Sequence, residues 1–378
     1  MRERNGNPTR RRLLKAIGAT TALVGTSTVT TAKTKKTLEV NVGYKSARGR
    51  RAAQSAASKT VREFAFDAVT LQLPKQALSG IQNRPDIRYV EQNGEMHAIA
   101  QSTPWGVDRV DADIAQDNGY TGDGADIAII DTGIDATHPD LQANLGAGHA
   151  VASCWWGCAE PWGDDNGHGT HCAGIANAVD NTEGVVGVSS NATLHAVKVL
   201  NFYGSGSYSD IAAGIEYTAD QGWDVASLSL GGSQSAAVAD AVSYAHSNGV
   251  FVVAAAGNSG PCTDCVSHPA AGPDAMAVSA TNDADNIAEF SSTGPEIEIA
   301  APGAEIYSTY DGGGYDTLSG TSMACPHVAG AAGQLMAAGY TNTEARSKLR
   351  GTAENIGLSE TEQGAGLLDV ASALGLSS

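Results

Sequence analysis

From residue 102 onward, short runs of consecutive apolar residues alternate with segments of helical spacing. Such runs predict strands buried on both faces, and the segments between them predict crossover helices. The predicted strands are 125–130, 194–200, 225–230, 250–255 and 276–280. The predicted helices are 168–177, 210–221, 236–247 and 326–338. This alternation predicts an α/β fold with three layers, in which a mainly parallel, twisted sheet lies between helices.

The preceding segment, residues 33–100, has a different pattern. Apolar and polar positions alternate in two runs, which predicts half-buried strands at 37–43 and 68–73. A short helix is predicted at 75–81, after Pro74, and another strand at 87–91. The chain therefore combines a small α+β domain with a larger α/β domain that begins near residue 101.

The charge changes sign at the same boundary. Residues 1–100 carry 18 Lys/Arg and 7 Asp/Glu, a net of +11, whereas residues 101–378 carry 5 and 34, a net of −29. A domain so acidic repels nucleic acids and anionic membranes, so we expect neither as a partner. Its lysine-poor surface is typical of a protein kept hydrated in concentrated salt, although an ordinary soluble surface is the alternative.

The N-terminus has the features of an export signal. The stretch TRRRLLK resembles a twin-arginine motif, and a short segment rich in Thr and Gly follows it at residues 16–32. That segment is too short and too polar to span a membrane. We therefore interpret residues 1–32 as a twin-arginine signal peptide and expect a secreted protein; a basic disordered arm is the alternative.

Four cysteines are closely spaced in pairs, Cys154 with Cys158 and Cys262 with Cys265. In an oxidising compartment each pair would close a small loop as a disulfide. A zinc site built from all four is the alternative, because CxxC is a common ligand spacing. We expect the disulfides, since only one of the two spacings suits zinc and export favours oxidation.

Three glycine-rich motifs carry an acid, a base and a nucleophile. Asp131 begins DTGID after a buried strand, His168 lies in NGHGTHCAG before a helix, and Ser322 lies in GTSMACPHVAG before another. Reactive groups of α/β sheets gather at strand carboxyl ends and helix N-termini. A serine nucleophile needs an imidazole base, which in turn needs a buried carboxylate to orient it. These residues are thus a candidate triad.

All three motifs resemble those of subtilisin-type serine proteases, the subtilases, and the resemblance covers residues 101–378. It implies a subtilisin-like fold and a serine endopeptidase that cleaves polypeptides through an acyl-enzyme on Ser322. With the acidic surface and the export signal, the chain resembles secreted halolysin-type enzymes. We expect a monomer.

The same resemblance implies that residues 33–100 are an inhibitor-like propeptide that assists folding and blocks the cleft. Its net charge of +6, from 12 Lys/Arg and 6 Asp/Glu, would be attracted to the acidic enzyme. The tail at 97–100 would lie in the cleft and be cut autocatalytically beside Gln101. An N-terminal domain that stays attached is the alternative.

By resemblance, Asn258 and the backbone N–H of Ser322 would hold the oxyanion; Asn258 could otherwise be an ordinary turn residue. The substrate would bind as an added extended strand. Its predicted contacts are Gly204, Ser205, Gly206, Ser229, Leu230, Gly231, Ala255, Ala256 and Gly257. These small residues would admit a large apolar side chain before the cut, although Ser267 replaces a glycine often found at the pocket floor.

Calcium is the cofactor that the resemblance implies. The predicted ligands match the family's tight site and are Gln101, Asp140, Val179, Asn181, Glu183 and Val185. Carboxylate, amide and carbonyl oxygens suit Ca²⁺ better than transition metals. An ordinary polar loop is the alternative.

Two other functions compete with a broadly specific protease. A processing protease that reads basic side chains would need acidic residues in its pockets, and the pocket segments lack them. A catalytically inactive binding protein could share the scaffold. The presence of Asp131, His168, Asn258 and Ser322 together favours an enzyme.

Overall fold

The computed structural model describes residues 37–93, 101–155 and 158–377. They form two compact units, one on each side of residues 94–100. The predicted signal peptide and the predicted tail at 97–100 lie outside the described residues. Among the residues that are described, no helix is both long enough and apolar enough to cross a membrane.

The small unit is an antiparallel sheet of four strands in the order β2-β3-β1-β4, packed against two helices. Its elements are β1 Thr37–Tyr44, α1 Ala47–Ala56, β2 Lys59–Glu63, β3 Ala68–Pro74, α2 Leu78–Gln82 and β4 Ile87–Gln92. Val40, Val42 and Leu71 are buried between the sheet and the helices, as the alternation predicts. The apolar pattern does not predict α1 or β2, because α1 is strongly polar and β2 is exposed throughout.

The large unit is built on a sheet of seven strands, all parallel, within the described part of the chain. Their order is β11-β10-β9-β8-β5-β7-β6. The strands are β5 Asp126–Asp131, β6 Leu145–Ala150, β7 Thr193–Lys198, β8 Val225–Leu228, β9 Phe251–Ala255, β10 Met276–Thr281 and β11 Ile297–Pro302. A hairpin of β12 Ile306–Tyr310 and β13 Gly314–Leu318 follows.

Helices cover both faces of this sheet, which confirms the three-layer α/β/α architecture. Ile127 and Ile129 of β5 pack into one core, and Ala128 and Ile130 pack into the other. The first face is covered by α3 Trp105–Arg109, α4 Ala112–Asp117, α5 His168–Asn177, α8 Thr321–Ala337, α9 Asn342–Thr352 and α11 Val370–Ala373. The second is covered by α6 Tyr208–Asp220 and α7 Ala236–Ser247, and α10 Glu360–Gln363 adjoins β11.

The predicted start of the last long helix is wrong. We expected it at Pro326, yet α8 begins at Thr321 and contains the proline. Proline has no N–H, so the carbonyl of Ser322 four residues earlier loses its helical partner. That carbonyl instead accepts hydrogen bonds from Ser229 Oγ at 2.8 Å and from Cys172 Sγ at 3.4 Å. External donors thus replace the bond that the proline removes.

Parallel strands bring the candidate site together. Their carboxyl ends lie at one edge of the sheet, where reactive groups of α/β proteins gather. Asp131 ends β5 and Lys198 ends β7, and the two residues are paired in register. Ser229 directly follows β8, and Asn258 follows β9.

Candidate active site

A buried carboxylate orients the candidate base. Asp131 is fully buried, and its Oδ1 lies 2.8 Å from His168 Nδ1. The same oxygen accepts a hydrogen bond from the N–H of Thr132 at 2.7 Å. His168 is the first residue of α5, and Gly167 before it has φ 100°, a conformation that favours glycine. The turn therefore places the imidazole against Asp131 while leaving its side chain 28% exposed.

Burial is the largest single influence on the His168 pKa, but the effects of the neighbouring carboxylates together outweigh it. Burial lowers the pKa of the imidazole, whereas the charge and hydrogen bond of Asp131, with a smaller effect of Asp164, raise it. The net result is a His168 pKa above its usual value. An imidazole held in this way is a stronger base, and its cation is stabilised next to the cleft.

Ser322 lies in the first turn of α8. Its Oγ donates to the carbonyl oxygen of Ser229 at 3.2 Å, while Ser229 Oγ donates to the carbonyl of Ser322. No hydrogen bond joins Ser322 Oγ to His168 among the described residues. His168 and Ser229 line one cavity, and Ser322 adjoins it through its hydrogen bond to Ser229. Turning the hydroxyl away from Ser229 would be needed to pair nucleophile and base.

The side-chain amide of Asn258 is oriented by the residue before Ser322. Its Oδ1 accepts from Thr321 N at 2.9 Å and from Thr321 Oγ1 at 3.1 Å. Thr321 Oγ1 in turn accepts from Gly257 N at 3.0 Å. With Oδ1 engaged, Nδ2 remains as a donor, and a Cβ at Gly320 would lie 3.4 Å from it. The amide N–H thus lies beside the backbone that carries Ser322.

A cavity of about 370 Å³ adjoins His168. Its lining includes six of the nine predicted substrate contacts, namely Gly204, Ser205, Gly206, Ser229, Leu230 and Gly231. The other three, Ala255, Ala256 and Gly257, are not part of this lining; Ala255 and Ala256 are buried at the end of β9. The two segments 204–206 and 229–231 therefore form the walls of an open groove.

Ser267 packs against two of the predicted pocket glycines. A Cβ built at Gly231 would lie 2.9 Å from the Ser267 Cβ, and one built at Gly257 would lie 3.3 Å from it. The N–H of Ser267 donates to the carbonyl of Ala256 at 2.7 Å. The serine side chain thus takes up space between these segments that glycine would leave open.

Sequence reasoning missed Asp164, which organises the surroundings of the candidate base. Its Oδ1 accepts from Thr132 Oγ1 at 2.8 Å and from the N–H groups of Asn166 and Gly167, each at 3.0 Å. Its Oδ2 accepts from Thr170 N at 2.9 Å and Thr170 Oγ1 at 2.6 Å. An aspartate shortly before a helix whose cap residue is glycine is a detectable signal, since its oxygens can satisfy the free N–H groups there.

The six predicted calcium ligands lie together. Gln101 Nε2 lies 2.6 Å from Val179 O and 3.0 Å from Val185 O, and Asn181 Nδ2 lies 3.1 Å from Asp140 Oδ1. The sixth, Glu183, donates its N–H to Asn181 Oδ1 at 2.6 Å.

This donor set fits a hard cation. Two main-chain carbonyls and a buried carboxylate converge on side-chain amides whose nitrogen and oxygen atoms are interchangeable by rotation. Turning the amides of Gln101 and Asn181 would direct their oxygens to these groups. The loop backbone would have to shift as well, because the two amide oxygens now accept the N–H groups of Asn181 and Glu183. The result would be an all-oxygen site of the kind Ca²⁺ prefers.

Both cysteine pairs form disulfides, as the spacing and the export signal predicted. Cys154 is bonded to Cys158 and Cys262 to Cys265. In the described ranges the four sulfurs do not come together in one metal-ligating cluster, so the zinc alternative is not supported.

The comparisons with known proteins agree with this architecture. Residues 122–366 match the model of the subtilase family. The alkaline protease of Alkalihalobacillus alcalophilus is 44% identical over 309 residues, which cover 81% of this chain and 78% of the relative. Subtilisin E of Bacillus subtilis (strain 168) is 40% identical over 321 residues, 83% of each chain. Subtilisin Savinase of Lederbergia lenta is 47% identical over 278 residues, 72% of this chain and 99% of the relative. The chain belongs to the subtilase family of serine proteases.

Two buried histidines behind the site predict how stability depends on pH. His171 of α5 and His327 of α8 are fully buried, and burial lowers the pKa of each to about 4. An unfolded histidine has a pKa near 6.5, so as the pH falls the unfolded state binds protons first. The stabilisation is complete above pH 6.5 and is lost as the pH falls towards 4.

We therefore expect the free energy of unfolding to fall by about 3 kcal/mol per histidine between roughly pH 6.5 and 4. His327→Asn, whose amide can replace the Nδ1 bond to Met323 O, should reduce this slope. Urea denaturation at a series of pH values measures it. Equal slopes in the parent and the variant would show that His327 does not control acid stability.

Proposed function

We propose that this protein is a secreted, monomeric serine endopeptidase that hydrolyses polypeptides through an acyl-enzyme on Ser322. The observation that carries the proposal is the 2.8 Å hydrogen bond between His168 and the buried Asp131, beside a groove that Ser229 also lines. His168 Nε2 would take the proton of Ser322 Oγ as that oxygen attacks the substrate carbonyl. Asp131 would fix the tautomer and stabilise the imidazolium, which then protonates the leaving amine.

Two N–H donors would hold the oxyanion, the side-chain amide of Asn258 and the backbone of Ser322. Thr321 supports this role, because its two hydrogen bonds to Asn258 Oδ1 direct the amide N–H away from itself. The Ser322 N–H lies in the first turn of α8, where backbone donors are free of helical partners. A fixed donor of this kind is worth about 2.7–4 kcal/mol of activation free energy.

The substrate would bind as an extended strand between segments 204–206 and 229–231, with backbone hydrogen bonds to both. Small residues there support broad specificity and a large apolar side chain before the cut. Ser267 would limit the depth of that pocket, because it packs against Gly231 and Gly257.

We also propose synthesis as a self-processing precursor, with signal peptide 1–32, propeptide 33–100 and catalytic domain 101–378. The propeptide would assist folding and inhibit the enzyme until it is cut. Three observations support this: residues 37–93 have their own core, residues 33–100 have a net charge of +6, and the match to Subtilisin E exceeds the catalytic domain in length. Export by the twin-arginine route is supported by the TRRRLLK motif and the short Thr- and Gly-rich segment at residues 16–32.

A bound calcium ion is proposed as the cofactor. Gln101, Asp140 and Asn181 would supply side-chain oxygens, and Val179 and Val185 would supply carbonyls, with Glu183 contributing from the loop backbone. The ion would stabilise the fold by binding the native state alone and would take no part in the reaction.

Ser322 should be labelled by a serine-directed phosphonylating reagent, because only an activated serine reacts rapidly. Peptide mass mapping should place the added mass on Ser322. Ser322→Ala should abolish labelling, casein cleavage and separation of the propeptide, whereas Ser319→Ala, three residues away, should retain all three. Asn258→Gly should lower kcat by about 10²–10³-fold.

The alternative, an inactive binding protein on this scaffold, predicts the opposite result. The assays are made on the folded parent protein in calcium and salt. If it binds peptides but is neither labelled nor able to cut casein, the enzyme proposal is refuted in favour of a binding protein.

Calcium removal should destabilise the protein. We expect chelation with EGTA to lower the Tm of the parent by at least about 5 °C, because a ligand at a thousand times its Kd adds about 4 kcal/mol. Asp140→Asn should make the Tm insensitive to calcium. Asp180→Asn, in the exposed part of the 179–185 loop but outside the predicted ligand set, should keep the response. Differential scanning calorimetry and equilibrium dialysis measure these effects. Tm values of the parent that are equal with and without calcium would contradict the site.

High salt should favour this enzyme. Residues 101–378 carry a net charge of −29, and salt screens the repulsion among those carboxylates. We expect casein hydrolysis and Tm to rise together from about 0.1 M to molar KCl, since the Debye length falls from about 10 to 3 Å. An uncharged peptide substrate controls for salt effects on casein. A maximum of both quantities at low salt would contradict halophily.

A further inference from the structure

A lysine is fully buried beside Asp131. Lys198 has no exposed surface, and it is the register partner of Asp131 on the neighbouring parallel strand. Residues paired in register point to the same face of a sheet. The ammonium group therefore lies in the layer that also contains Asp131 and α5.

Lys198 has two partners in that layer. Its Nζ donates to the carbonyl oxygen of Thr132 at 2.5 Å and to Asp165 Oδ1 at 2.6 Å. The side chain of Asp165 is only 2% exposed, so both charges are removed from water. Such a pair is costly to desolvate, and a well-packed apolar pair would often be as stable. Stability alone therefore does not account for these residues.

The contact with Thr132 links the lysine to the candidate triad. Thr132 donates its N–H to Asp131 Oδ1 at 2.7 Å and its Oγ1 to Asp164 Oδ1 at 2.8 Å. Lys198 holds the third polar group of Thr132, its carbonyl. The threonine that fixes the Asp131 carboxylate is thus itself held at its N–H, hydroxyl and carbonyl.

The second oxygen of Asp165 connects this pair to a disulfide loop. Oδ2 accepts the N–H of Trp155 at 2.8 Å, and Trp155 lies in the loop that the Cys154–Cys158 bond closes. With one oxygen on the lysine and the other on this loop, the carboxylate has a single arrangement. The N–H of Trp155 thus helps to orient the Asp165 carboxylate, and that carboxylate in turn holds the Lys198 ammonium group.

We propose that Lys198 and Asp165 are positioning residues that hold Asp131, through Thr132, in the orientation that His168 requires. This inference rests on the proposed function. The pair does not touch the substrate and acts through the hydrogen bond of Lys198 to the Thr132 carbonyl. Its loss should therefore lower kcat, with little change in KM.

The pair has no net charge, so removing either charged group should shift the His168 pKa. The direction of the shift should depend on which group is removed. Lys198→Met leaves an unpaired negative charge that raises the His168 pKa, whereas Asp165→Asn leaves a positive charge that lowers it. The ionisable groups next to His168 are Asp131 on β5, Asp164 before α5, and His171 and Cys172 on α5 itself. None of these changes in either variant, so the two shifts should have opposite signs.

The decisive variant is the uncharged double substitution Lys198→Met/Asp165→Asn, which leaves no buried charge unpaired. The matched control is Arg346→Met/Glu298→Gln, which removes a partly buried ion pair between α9 and β11. Activity on a short peptide substrate is measured in calcium and salt, and active sites are counted by phosphonylation. We expect the first double variant to lose about tenfold in kcat with KM changed less than about twofold, and the control to lose neither.

Three outcomes overturn the proposal: an unchanged kcat in the folded double variant, an equal loss in the control, or pH–rate shifts of the same sign in the two single variants. The proton shared by His168 and Asp131 is observed far downfield by proton NMR. Its chemical shift can be measured whether or not the protein is active. It should shift in Lys198→Met/Asp165→Asn and not in the control. A parent protein without hydrolysis or labelling would refute the proposed function, while this resonance would still test the positioning.

Discussion

The hydrogen bond between the buried carboxylate of Asp131 and His168 is the interaction on which the rest of the site depends. A bare carboxylate in a protein interior is expensive, so its surroundings must supply donors and charge balance. The parallel sheet places Asp131 at a strand end, where helix N-termini and polar loops converge. Asp164, Thr132 and Lys198 then form a polar layer behind it. The carboxylate of Asp131 is thus surrounded by polar groups that do not line the cavity.

The helix that carries Ser322 shows how a local backbone defect can serve a site. Pro326 removes a helical N–H, and the carbonyl of Ser322 turns to donors on two other elements. Ser229, which also lines the cavity beside His168, is one of them. The position of Ser322 is therefore tied to a wall of the groove rather than to the helix alone. Cys172 gives the second tie, from the helix that carries His168.

Much of this arrangement was predictable from the sequence. Continuous apolar runs revealed five strands of the sheet, and helices 168–177 and 236–247 were predicted to the residue. Strands β6 and β11 were not predicted; in β6, with the sequence LGAGHA, the glycines hide the pattern. The motifs located Asp131, His168, Asn258 and Ser322. They could not identify Lys198 or Asp165, because charged side chains are expected at the surface. Only the fold shows that these two are buried against each other. The helix start at Thr321 was missed because external donors to the Ser322 carbonyl are invisible in the sequence.

The hairpin of β12 and β13 contacts α5 and, through Asp140, the 179–185 loop that follows this helix in the chain. Tyr315 donates to Asp140 beside the 179–185 loop, and the carbonyl of Asp316 lies 3.1 Å from His171 Nε2 on α5. Residues 180–183 of that loop are exposed. A protease in solution is surrounded by copies of itself, so its exposed loops are potential cleavage sites. Its working lifetime is then governed by how often such a loop opens, a local rate and not the global stability of the fold. The hairpin, by bracing loop and helix together, opposes self-digestion.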